Sequence, residues 1–149
     1  MAAAPLAVAA AAPRAEATDY GSAEDVFSTV DRLEADVAGG LRRLPRVVPA
    51  AGAFAESLLA DQRRHAEDRR RLRRRLGLPP AAAATEATPA TVDLAALREA
   101  QQALVHAHAE GMPAIGDRFA VDVLTHHLVD LSRHLTVMDL WIETELQRG

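Results

Sequence analysis

The chain has 149 residues, with 17 basic and 21 acidic side chains and a formal charge of −4. That length suits one domain around a single core, and the charge lacks the basic surplus of a nucleic-acid binder. It holds no cysteine and no lysine, which excludes disulfides, thiolate metal sites and Schiff-base chemistry.

Residues 2–17 (AAAPLAVAAAAPRAEA) are Ala-rich and apolar, and end in Ala15-Glu16-Ala17, a small-x-small pattern. Residues 1–19 read either as a secretory signal cleaved after Ala17, sending the protein to the periplasm or outside the cell, or as a disordered tail. No apolar run is long enough for a transmembrane helix.

The remaining residues, 20–149, predict four helices. Aromatic residues number only five and β-branched runs are absent, so strands are not expected. Ser22 caps the first helix, Val26, Val30, Leu33, Val37, Leu41 and Leu44 form its stripe, and Pro45 is expected to stop it. A turn at Pro49–Gly52 leads to the second helix, near 53–76, with Phe54, Leu58, Leu59, Ala66, Leu72 and Leu76 inward and a Gly77/Pro79 stop. Residues 79–91 (PPAAAATEATPAT) are a linker. The third helix starts near Thr91 or Asp93, carries Leu94, Leu97, Leu104 and Ile115, and frays at Gly111 and Pro113. The fourth runs from about 117 to 146, with Leu124, Leu128, Leu131, Leu135, Met138 and Ile142 inward. Two short-looped hairpins joined by a longer linker fit an antiparallel four-helix bundle.

One motif occurs twice. LADQRRH at Leu59–His65 and LVDLSRH at Leu128–His134 share Leu, Asp, Arg and His at the same offsets. Helical phase, at about 100° per residue, turns His65, His108, His127 and His134 toward the apolar side. Gln62 lies in mid-stripe and Glu34 at the margin of the first helix, whereas His106 and His126 point away. Asp61 and Asp130 each stand one turn before a histidine. Imidazoles on three helices suit a transition metal (iron, zinc or copper), with Asp61, Asp130 and Glu34 as ligands or as acceptors that orient the rings. The alternative is a set of neutral histidines at the core edge, bonded to aspartates and backbone carbonyls.

Eight arginines crowd residues 61–76 against three acids, while residues 86–149 hold ten acids against four arginines. Phase spreads Arg70, Arg71, Arg74 and Arg75 over an outer, solvated face, and no aromatic side chains interleave to stack nucleic-acid bases. An acidic protein surface, including a second copy of this chain, is the expected partner. There is no glycine-rich phosphate loop and no nucleophile elbow.

The stretch SLLADQRRHAEDRRRLRRRLGLPP at Ser57–Pro80 resembles the second helix of bacterial ferritin-like proteins. The resemblance implies a four-helix bundle with a Glu-x-x-His pair on the second and fourth helices. His65 and His134 match the two family histidines, Glu34 the first-helix carboxylate, and His108 falls near the third-helix ligand. Gln62 and Leu131 stand where the family has glutamates, and leucine cannot ligate a metal. The resemblance therefore implies a degenerate member without the standard di-iron ferroxidase activity, binding a metal through histidines. The alternative is a metal-free structural or interaction bundle, acting as a homo-oligomer or a subunit of a larger assembly.

Overall fold

The computed structural model describes residues 20–83 and 93–148, and every regular element among them is helical. Four long helices account for most of it: α1 (Ala23–Val47), α2 (Gly52–Arg75), α3 (Leu94–Gly111) and α4 (Arg118–Arg148). Short 3-10 turns at Pro49–Ala51 and Met112–Ala114 make the two tight connections. The signal-like segment and most of the expected linker lie outside the described residues.

Local chemistry explains the helix boundaries. Ser22 Oγ accepts the Asp25 amide at 3.2 Å, Asp93 accepts that of Ala95 at 3.0 Å, and Asp117 accepts that of Ala120 at 2.9 Å. Each satisfies an amide that the first turn leaves without a partner. α2 ends in a Schellman motif: Gly77 takes φ +67°, and the Leu78 amide returns to the Arg73 carbonyl at 2.8 Å. Pro45 does not stop α1, contrary to the sequence expectation; the helix continues to Val47. Proline's fixed φ is helical, and this close to the end its missing N–H removes a single backbone bond. Burial of Leu41 and Leu44 on either side of that bond holds the turn in place.

α1 packs against both α2 and α3, α4 packs against α3, and α2 faces α4 more loosely. The core along this ring holds Val30, Val37, Leu41, Leu44, Leu104 and Leu131, all at most 1 % exposed. Phe27, absent from the expected stripe, is also 1 % exposed, whereas Leu33, Leu59, Leu128 and Leu135 are only half-buried. Gly111 lets α3 close on α1, since a Cβ there would sit 2.5 Å from Val26 Cγ1. Between α1 and α2, Asp31 meets Arg73 and Glu34 meets Arg69; between α3 and α4, Arg98 meets Asp139 and Gln101 meets Leu131. In both pairs residue numbers fall along one helix as they rise along the other.

Candidate functional site

The repeated motif explains how α2 and α4 meet. Asp61 of the first copy accepts a hydrogen bond from His134 Nε2 of the second at 2.7 Å, and Asp130 of the second accepts from His65 Nε2 of the first at 3.0 Å. A third rung joins Asp68 to His127 Nε2 at 2.9 Å. Asp and His four residues apart lie on one helix face, so both project at the partner helix. Asp61 and Asp130, expected as metal ligands or as acceptors that orient the rings, accept from histidines of the facing helix. Arg64 NH2 bridges the two aspartates, 3.0 Å from an oxygen of each.

These bonds dictate the tautomers. A carboxylate only accepts, so each Asp-bound ring carries its proton on Nε2 and leaves Nδ1 a bare lone pair. His108 is the reverse: Nδ1–H donates to the Leu104 carbonyl at 2.9 Å, which leaves Nε2 bare. The bare nitrogens of His65, His108, His127 and His134 are all buried without a partner. The His65 and His127 rings stack with centroids 4.1 Å apart and planes 24° apart, and His108 stands edge-on to His127 at 6.4 Å. A proton added to this group would have no acceptor. Burial accordingly holds His108 down to about 3 and His127 down to about 4, against the opposing pull of the Leu104 carbonyl and of Asp68. Burial lowers His65 as well, more than Asp130 raises it. All three rings are neutral near pH 7.

Beside the histidines lies a buried ion cluster that the sequence reading missed. Arg69, 3 % exposed, clamps both oxygens of Glu34 at 2.7 and 3.0 Å and donates Nε–H to Asp31 at 2.6 Å. Arg73, 4 % exposed, reaches Asp31 at 2.8 Å and the Pro79 carbonyl at 2.9 Å. Burial disfavours the Arg69 charge, but Glu34 and Asp31 outweigh it and raise its pKa. Arg70, Arg71, Arg74 and Arg75 are exposed, as expected. Arg69 was legible in principle, since Leu58, Gln62, His65, Arg69 and Leu72 follow one 3–4 spacing and share the inner stripe.

The metal expectation named Glu34, Asp61, His65, His108, His127, Asp130 and His134. The histidines and Glu34 are buried in one polar layer, and the two aspartates line its edge. Among the described residues, no three His, Asp or Glu side chains are grouped so that they could hold a metal ion. Glu34 is occupied by Arg69. At the two positions where the ferritin-like resemblance implies glutamates, Leu131 is wholly buried and Gln62 is 4 % exposed with both amide atoms unpartnered. This residue set does not fit a di-metal centre. His106 and His126 are exposed, as expected.

No protein-family model matches this chain, and no curated protein and no solved structure shows significant similarity to it.

Proposed function

We propose that this chain is an antiparallel, ferritin-like four-helix bundle in which an arginine clamp has replaced the metal centre, leaving a structural and interaction module. The falling-against-rising order of contacts supports opposed neighbours: 61 to 134, 65 to 130 and 68 to 127 between α2 and α4, with the same order between α1 and α2. Those contacts, with α1 beside both α2 and α3, suit two hairpins joined by a crossover. The observation that carries the functional half is the bidentate Arg69–Glu34 pair. A buried carboxylate needs a cation, and here a guanidinium supplies the charge that a metal supplies in a loaded bundle.

The test is a double-mutant cycle. Arg69→Met leaves Glu34 as an uncompensated buried charge and is expected to destabilise the fold by about 3–5 kcal/mol, while Glu34→Gln/Arg69→Met recovers most of it. Chemical denaturation reads both variants, and an Arg69→Met variant as stable as the parent overturns the reading.

One observation favours the second reading, a histidine-bound transition metal. An Asp-held imidazole with its other nitrogen bare is the arrangement that carboxylates give to metal-ligating histidines, and it occurs here at His65, His127 and His134.

A further inference from the structure

The polar face of α2 has a second, outward consequence. A cleft of about 330 Å³ opens between α1 and α2, with Ala81 and Ala82 closing one end. That volume lies at the lower end of the range for small-molecule sites, roughly 300–1,000 Å³. Five arginines line it (Arg42, Arg63, Arg69, Arg70 and Arg73) beside Asp31 and Glu34. Both carboxylates are already taken up by Arg69 and Arg73. Arg42, Arg63 and Arg70 are exposed, and Arg70 also reaches Glu67 at 2.9 Å.

The inner end of the cleft is polar without being satisfied. Gln62 lines it, is 4 % exposed, and pairs neither its amide nitrogen nor its amide oxygen; Arg73 Nε, also buried, has no acceptor. Buried amide groups left like this cost about 1–3 kcal/mol each unless something bonds them. The apolar lining includes Ala35, Ala38, Leu59 and Ala66, aliphatic side chains that cannot stack a nucleobase.

We propose that this cleft binds a small organic anion, its carboxylate or phosphate head held by the arginines and a polar group of its body bonded to Gln62. None of the four buried histidines lines the cleft, which shares Glu34 and Arg69 with the polar layer beside them.

Calorimetric titration of the intact protein at low ionic strength tests it with three probes: citrate, glycerol 3-phosphate and inorganic phosphate. Saturable one-to-one binding of citrate or of glycerol 3-phosphate is expected, and the tighter of the two assigns the head group; inorganic phosphate, lacking a body for Gln62, binds more weakly. Arg63→Glu, on the exposed rim, and Gln62→Leu, at the inner end, should each weaken binding by about tenfold, as the loss of one strong polar contact does. Arg71→Glu makes the same charge change outside the cleft and should alter affinity by no more than about twofold. Absence of saturable binding to all three probes overturns the proposal. So does equal weakening by Arg71→Glu and Arg63→Glu, which marks a diffuse field rather than a site.

Discussion

Acidification from pH 7 to pH 5 perturbs the histidine layer. His127 titrates near 4 and His108 near 3 in the folded chain, against 6.5 when unfolded, so below pH 6.5 the unfolded state binds the extra protons. Stability is therefore complete above pH 6.5, falls as pH drops through the window, and levels off only below the folded values. Each pH unit inside the window removes about 1.4 kcal/mol per histidine. Two such rings lose together about 4 kcal/mol by pH 5, a large share of the roughly 5–15 kcal/mol that stabilises a domain. His65, lowered in the same direction, adds to the loss.

The groups around these rings are accounted for. Asp130 and Glu34 face His65, Asp68 faces His127, and Arg69 opposes a positive charge on all three rings. Burial raises Asp130, but His65 and Arg64 outweigh it and hold it below 3.8, so its contribution to stability is lost only as pH falls below the pH 5 end of the range. Melting followed by circular dichroism at pH 7, 6 and 5 should drop by about 10 °C across the range. A His108→Gln/His127→Gln variant should melt lower at pH 7 but lose much less between pH 7 and 5. An unchanged melting temperature in the parent, or an equal fall in the variant, refutes the assignment of neutral buried rings.

The reciprocal rungs give further expectations. Asp61→Ala and Asp130→Ala each strand a histidine N–H and should cost about 1–3 kcal/mol in denaturant titrations, whereas Asp130→Asn, which keeps an acceptor oxygen, should cost less. A His134→Ala/Asp61→Ala cycle should show a coupling of about 1 kcal/mol or more, and a coupling near zero removes the rung from the account. Val129, Val137 and Leu140 leave an exposed apolar stripe on α4, 53 %, 38 % and 59 % exposed. If a second copy docks there, sedimentation equilibrium shows a dimer that Val129→Glu/Leu140→Glu converts to monomer; a monomeric parent rules this out.

Much of the helical layout was readable because apolar spacing, Ser22, Asp93 and Gly77 all act within a turn or two of themselves. The inward histidines were readable for the same reason: phase alone turns His65, His108, His127 and His134 to the core side. Their partners were not. Which aspartate meets which histidine depends on the register of α2 against α4, and that register is settled by packing across the bundle. Arg69 and Arg73 were hidden by composition, since eight arginines in sixteen residues look like one solvated face. Two of them lie on the inner side of the helix, where Glu34 and Asp31 on α1 meet them. Pro45 stands within the last turn of α1, where a proline costs one backbone bond and the helix runs past it.

On the proposed reading, the protein's own charges close the polar layer. Metal content tests it most directly: the purified chain is incubated with iron, zinc or copper, dialysed, and analysed for bound ion per chain. The account predicts well under one ion per chain and no rise in melting temperature. One or more ions retained per chain, and lost in a His65→Ala/His134→Ala variant, would contradict it and establish the histidine layer as a metal site.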